Sequence, residues 1–258
     1  MRNMKQNVLC VIQARFGSTR LPGKVLLTLA GKTVLERVIE RVSASTCIDD
    51  LIVATTTNKD DKKIATLCMR KKIKVYCGSE DDVLDRFYQA ASLLRARVVV
   101  RITADCPLID PAVIDKVIRA HNAKDADYTS NVLVPTYPDG QDVEVFTFAA
   151  LRRAWQEATL ASQREHVTPF IRDSKKFKCA NVTNPKDLSA YRLTLDEKND
   201  YRLMQAIYKH FSAQKNFTMR EIIAFLDANP EVRRINSAFT RNEGYLSSLA
   251  HDSVVRGS

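Results

Sequence analysis

Ten residues near the start of the chain, Arg15-Phe16-Gly17-Ser18-Thr19-Arg20-Leu21-Pro22-Gly23-Lys24, hold three cations, two hydroxyls and two glycines. Arginine grips phosphate oxygens bidentately, lysine adds a point charge, and glycine lets backbone N–H groups approach an anion. The chemistry indicated is phosphate binding, with a solvated basic turn as the alternative. Two named motifs can be tested against it. A Walker loop needs four residues between Gly and Gly-Lys, then Ser or Thr, whereas Gly17 and Gly23 enclose five and Val25 follows Lys24. Gly31-Lys32-Thr33 ends correctly, but Leu26 stands where the first glycine belongs. GxGxxG is absent as well, so kinase-type ATPases and dehydrogenases both lose ground.

The acids come next. Asp105 follows the apolar run Val98–Ile102, and Asp196 follows Tyr191–Leu195. Two carboxylates brought together from separate strand ends suit Mg²⁺, which prefers oxygen ligands and keeps several waters. The structural alternatives are a turn cap before Pro107 for Asp105 and a helix cap near Asp200 for Asp196. Asp139, Gln141, Asp142 and Glu144 cluster beside Gly140, and strand alternation would put Asp142 and Glu144 on one face. They either contact sugar hydroxyls or amines, or simply face water. His166, with Arg164 and Glu165 at a helix start, is either structural or part of a site. Cys106 beside Asp105 reads as a buried thiol, because no suitably placed histidine accompanies it.

These groups need a scaffold. Val8–Ala14 is a continuous apolar run, as expected of a parallel strand covered on both faces. Strands are also expected at Leu51–Thr55, Lys74–Cys77 and Val98–Ile102. They alternate with helices at Thr33–Ser45, Asp60–Arg70, Asp81–Leu94 and Pro111–Ala120, the last capped by Asp110. Short connections between them predict a mainly parallel sheet with helices on both faces, a three-layer α/β/α arrangement. After Tyr128 the pattern changes: strands at Val143–Phe148, Phe177–Val182 and Tyr191–Leu195, and helices at Ala149–Ala158, Gln163–Arg172, Asp200–Phe211 and Met219–Asp227. Arg233–Ser258 reads as an irregular tail. Open parallel sheets bind ligands beyond the carboxyl ends of their strands. That singles out Arg15–Gly31, Thr55–Lys59, Gly78–Asp82 and Thr103–Asp110.

Several motifs in one order make the chain recognisable. Ile12–Lys24 resembles the signature loop of the cytidylyltransferases that make CMP-activated acidic sugars, the 3-deoxy-manno-octulosonate and acylneuraminate enzymes. The likeness is strongest to the branch of spore coat polysaccharide biosynthesis protein F. It extends through Gly78–Arg86, Arg101–Asp110, Tyr137–Val145, Arg164–Pro169 and Asn242–Leu246. The resemblance implies a nucleotide-diphospho-sugar transferase fold over the whole chain, as one nucleotidyltransferase domain. Within it, 1–130 would be a nucleotide-binding half, 131–232 a sugar-binding half that completes the sheet, and 233–258 a tail. It implies CTP and a sugar as substrates and Mg²⁺ as cofactor, bound by Asp105 and Asp196. The acylneuraminate branch often lacks an aspartate matching Asp105, which favours the octulosonate-like arrangement. Arg15, Ser18, Arg20 and Lys24 would hold the triphosphate, and Gln13, Ala14, Gly17, Thr55, Ser79 and Arg101 complete the expected nucleotide set. Arg15, Lys24 and Asp105 are the expected catalytic groups. Asp139, Gln141, Asp142, Glu144, Arg164, Glu165 and His166 are the expected sugar contacts. A homodimer is the family expectation.

Composition bounds the alternatives. The 258 residues are 45% hydrophobic and 27% charged, an ordinary globular mixture. No apolar run approaches the ~20 residues of a membrane-spanning helix, and the six scattered cysteines suit a reduced, cytoplasmic setting. A net charge of +10 attracts polyanions, which keeps a non-catalytic nucleic-acid-binding module in view. Against it, Phe16 is the only stacking aromatic in the basic loop, and the charge is spread without a basic tail. A glycosyltransferase of the same fold, which consumes a nucleotide sugar, is the alternative among enzymes.

Overall fold

A computed structural model describes residues 7–214, 216–237, 241 and 243–255. In chain order its strands are β1 (Val8–Gln13), β2 (Thr28–Leu29), β3 (Lys32–Thr33), β4 (Asp50–Thr56) and β5 (Lys74–Gly78). They continue with β6 (Val98–Thr103), β7 (Tyr128–Ser130), β8 (Glu144–Thr147) and β9 (Cys179–Asn181). Seven form one sheet in the order β5-β4-β1-β6-β8-β7-β9, while β2 and β3 make a small hairpin. β5, β4, β1 and β6 run parallel, and β8 joins β6 and β7 antiparallel. The sheet is therefore mixed and mainly parallel, as expected.

β1 lies between two parallel neighbours and is covered on both faces, which explains its unbroken apolar run. Cys10 and Ile12 join a core with the helices Val34–Ser43, Pro111–Lys124, Lys198–His210 and Met219–Ala228. Leu9 and Val11 point the other way, toward the helices Val83–Leu93, Phe148–Glu157 and Pro169–Asp173. The helix starts follow the expected capping chemistry. Thr33 and Glu36 form a capping box, and Asp110 accepts a hydrogen bond from the Ala112 N–H at 2.8 Å.

The second half departs from expectation in three places. The helix expected over Gln163–Arg172 is two short helices, Ala161–His166 and Pro169–Asp173, broken where Val167 takes φ +71° ahead of Pro169. Tyr191–Leu195 forms no regular strand, only a bridge between Arg192 and Asp139. The expected irregular tail contains a helix, Glu243–Ala250, after which the chain returns along Thr159–Ser162. Backbone bonds Ala161 N–Ser253 O at 2.8 Å and Val255 N–Thr159 O at 2.7 Å fix that return.

The Arg192 bridge depends on Gly140. Its φ is +91°, and a Cβ there would overlap the Leu193 backbone, whose N–H donates to Asp139 O at 2.6 Å. Gly140→Ala is expected to lower the unfolding free energy by about 3 kcal/mol, combining left-handed strain with overpacking. Urea denaturation measures this directly, and a loss below 0.5 kcal/mol (roughly the surface-substitution scale) would contradict the tight crossing.

Candidate active site

The phosphate loop leaves β1 and is pinned before it reaches Lys24. Phe16 N–H donates to Asp61 Oδ1 at 2.6 Å, and Gly23 N–H donates to Phe16 O at 2.9 Å. Gly23 has φ +70°, and a Cβ there would press on the Phe16 ring at 2.9 Å, so glycine is required for the loop to fold back. A short 3-10 turn, Lys24–Leu26, then aims the lysine across the sheet edge.

Lys24 Nζ lies 2.6 Å from Asp105 Oδ2 and 2.8 Å from Asp196 Oδ1. One point thus sits within hydrogen-bond reach of two carboxylates that are far apart in sequence. Burial alone would raise the Asp105 carboxyl, but Lys24, with help from Thr103, holds it down at about 2. Burial would lower the Lys24 ammonium, and Asp105 and Asp196 keep it above its ordinary value. Asp196 also meets Arg20 at 3.2 Å and Arg192 at 3.0 Å.

Beneath this pair lies a buried hub. Arg192 Nε reaches Asp200 and Nη1 reaches Asp139, each at 3.0 Å. Fully buried Asp200 also accepts from the Asp196 and Glu197 N–H groups at 2.9 Å. Asp200, not Asp196, therefore satisfies the start of the helix Lys198–His210. Asp196 is left to face the cleft.

The main cleft encloses about 570 Å³. Gln13, Ala14, Arg15, Gly17, Ser18, Arg20, Lys24, Asp105, Asp196, Glu165 and His166, all singled out from the sequence, line it. A side cavity of about 170 Å³ shares Arg20, Asp105 and Asp196 with the cleft and adds Asp139 and Asp142. Asp142 is ion-paired with Arg241, yet burial, resisted by Arg241 and aided by Asp139 and Glu144, pushes its carboxyl up to about 7. His166 is driven down to about 4 by burial and by Arg101, so it is neutral at neutral pH. Its Nε2 is 3.0 Å from Ser248 Oγ, which donates to Glu165 Oε2 at 2.9 Å.

Six expected contacts lie away from both cavities. Gln141 is fully buried, accepting from Asp110 N–H at 2.9 Å and donating to Leu108 O at 2.7 Å. Glu144 is enclosed by Arg101, Tyr128 and Thr168, because the strand begins at Glu144 and turns that side chain inward. Arg101 pairs with Glu144 and donates to Gln13 Oε1 at 2.9 Å, so it steadies a lining residue from behind. Arg164 is buried on Asp82 at 2.6 Å. Thr55 is buried within β4, and Ser79 Oγ accepts from Asp82 N–H at 3.2 Å in a turn. Cys106 is buried and its thiol is pushed well up by burial and Asp105, which removes it as a nucleophile.

The structure adds cleft residues that the sequence reasoning passed over: Arg86, and Gly244, Ser247 and Ser248 of the helix Glu243–Ala250. Arg86 ends a motif already noted, so its position was visible but its direction was not. Of the motif Asn242–Leu246, Asn242 lies outside the described residues. Among the described residues no three His, Cys, Asp or Glu side chains could hold a metal by themselves. Asp105 and Asp196 converging on one cation nonetheless fit a hard divalent ion that completes its shell with phosphate oxygens and water.

A cleft at the carboxyl ends of parallel strands, with a cationic loop facing paired carboxylates, defines an α/β enzyme that handles nucleotide phosphates. Residues 9–229 match the family model described as cytidylyltransferase. An uncharacterized protein of Methanocaldococcus jannaschii is 43% identical over 89% of this chain and 94% of its own. Spore coat polysaccharide biosynthesis protein SpsF of Bacillus subtilis is 33% identical over 87% of this chain and 96% of its own. A 3-deoxy-manno-octulosonate cytidylyltransferase of Solibacter usitatus is 40% identical over 45% of each chain. Among solved structures, a cytidylyltransferase from Leptospira borgpetersenii superposes with TM-score 0.85 at 31% identity, covering 91% of this chain and 99% of that one. CMP:2-keto-3-deoxy-manno-octonic acid synthetase complexed with CTP shares the fold, with TM-score 0.59 at 16% identity over 79% and 98%. So does a Mycobacterium tuberculosis protein in complex with manganese, with TM-score 0.54 at 17% identity over 78% and 98%. The chain belongs to the cytidylyltransferase family and is a nucleotidyltransferase. That decides against the glycosyltransferase and nucleic-acid-binding alternatives. Among the described residues no helix is long and apolar enough to cross a membrane.

The raised Asp142 carboxyl carries a stability signature. Between about pH 4, where an unfolded aspartate titrates, and about pH 7, the folded state binds the proton and the unfolded state does not. Wild-type stability should therefore fall relative to Asp142→Asn across that window and run parallel to it above and below. Thermal unfolding of both proteins from pH 3.5 to 8.5 tests this. A constant difference would show that Asp142 titrates normally.

Proposed function

We propose that the chain transfers CMP from CTP to a sugar hydroxyl, giving a CMP-sugar and pyrophosphate, for cell-surface or spore-coat polysaccharide synthesis. The observation that carries this is the Lys24 ammonium between Asp105 and Asp196 on the cleft floor, below a loop of phosphate-binding type. The attacking hydroxyl oxygen forms a bond to the α-phosphorus while the bond to the pyrophosphate oxygen breaks opposite it, and the hydroxyl proton is released to solvent. Arg15, Ser18, Arg20 and Lys24 stabilise charge gathering on the phosphates, and no side-chain nucleophile is needed. Asp105 and Asp196 would hold Mg²⁺, which when bound supplies further neutralisation of phosphate charge. The enzyme works as a cytoplasmic homodimer in this reading.

The acceptor belongs in the side cavity beside those carboxylates. Asp139 and Asp142 line it, and the guanidinium groups that line it are turned to carboxylates: Arg20 to Asp196 and Glu197, and Arg192 to Asp139, Asp196 and Asp200. Arg241, outside the lining, pairs with Asp142. Of the two acceptor classes considered, acidic and amino sugars, this arrangement favours the amino sugar. The names of the octulosonate-handling relatives favour an acidic one.

Pyrophosphate release assayed with each of the four nucleoside triphosphates, Mg²⁺ and panels of both sugar classes tests the reading. CTP should be preferred, and no release with any acceptor would overturn the reaction. Lys24→Ala should lower kcat/KM by about 3 kcal/mol, roughly a hundredfold, the scale of one preorganised electrostatic contact. Normal turnover by that variant would remove the loop from the chemistry.

A further inference from the structure

Arg86 is 2% exposed, yet it makes no hydrogen bond or ion pair among the described residues, and its Nε and Nη1 are buried without partners. A guanidinium in that state is costly unless a ligand completes it. Three carboxylates surround it, and each is committed elsewhere. Asp61 accepts from Phe16 N–H and Thr56 Oγ1, and Glu80 accepts from Asn58. Asp82 accepts from Arg164 and from Asp85 N–H. Gly78 makes room for the stem, since a Cβ there would stand 2.9 Å from Arg86 Cγ. The result is an unpartnered donor group held in the wall of the main cleft.

Its place along the cleft says what it meets. Arg86 packs at the end of β5, whereas Asp105 follows β6, two strands beyond β4 in the sheet order. The side cavity shares Arg20, Asp105 and Asp196 with the main cleft but includes neither Arg86 nor Gln13–Ser18. A nucleotide with its phosphates between Lys24 and Arg20 therefore directs its nucleoside toward β4 and β5. Burial and Arg15 also push the Arg86 guanidinium down to about 10, and Asp61, Glu80 and Asp82 only partly offset them.

Resting on the cytidylyltransferase reading, we infer that Arg86 is a base-specificity residue that donates hydrogen bonds to the acceptor atoms O2 and N3 of cytosine. Uracil presents an N–H at position 3, which would face a donor, and this polarity separates the two pyrimidines. Buried polar groups left unpaired by the wrong ligand are a strong source of discrimination.

The test compares CTP, UTP and inorganic tripolyphosphate binding by calorimetry in the wild type, Arg86→Met and Arg86→Lys. Arg86→Met keeps most of the stem and removes the donors. It should weaken CTP binding tenfold or more, bring the CTP:UTP ratio close to one, and leave tripolyphosphate binding within twofold. Its thermal midpoint should hold or rise, because an unpartnered buried charge is lost. Arg86→Lys should recover part of the CTP affinity. Parallel loss of tripolyphosphate and CTP would make Arg86 a phosphate ligand and overturn the inference, as would an unchanged CTP:UTP ratio. If the wild type binds tripolyphosphate but does not prefer CTP, the cytidylyltransferase reading itself fails, whatever the variants do.

Discussion

Two carboxylates cannot share a partly buried point without a cation between them, and the cleft is built around that constraint. Asp105 arrives after β6 and Asp196 arrives ahead of the helix Lys198–His210, 91 positions later in the chain. Lys24 comes from the loop after β1 and closes the gap at 2.6 and 2.8 Å. Removing one member of such a pair typically costs about 3–5 kcal/mol where it is buried, because the partner keeps its desolvation penalty. Three distant segments are thus tied together electrostatically, and the phosphate loop is drawn to the carboxylates before any substrate arrives.

The same logic repeats one layer down. Arg192 is clamped by Asp139, Asp196 and Asp200, with Asn236 Nδ2 donating to Asp200 at 2.7 Å. Glu144 is closed off by Arg101, Tyr128 and Thr168, and Asp82 by Arg164. Satisfied buried networks of this kind hold one arrangement, since each alternative leaves a polar group unpaired. The cleft floor is rigid for that reason. The groups facing the cleft owe their direction to polar side chains that substrate never needs to reach.

This layering also explains how far the sequence could be read. Chemistry carried by a contiguous stretch was legible: the apolar run of β1, the cationic loop from Arg15 to Lys24, and Asp105 at a strand end. Residue type alone could not separate a lining acid from a supporting one. Asp142 faces the side cavity while Glu144, two residues on, turns into the protein. The role of Arg192 and the direction of Arg86 could not be read, because both come from partners made or withheld by remote segments. The helix at Glu243–Ala250 escaped for a related reason. Its anchor is the return of Asp252 and Ser253 onto Ala161 and Ser162, a pairing across some 90 residues with no local signature.

The charge states divide the site into a fixed part and a responsive part. Asp105 stays ionised above about pH 2 and Lys24 stays protonated through neutrality, so this pair carries the same charge at any physiological pH. His166 is equally constant, being neutral above about pH 4. Asp142, by contrast, is poised near 7, and it sits in the side cavity beside Asp139. The Lys24–Asp105 contact is therefore insulated from pH. The pH sensitivity expected of the site belongs to the side cavity, where burial leaves a carboxylate only partly offset by Arg241.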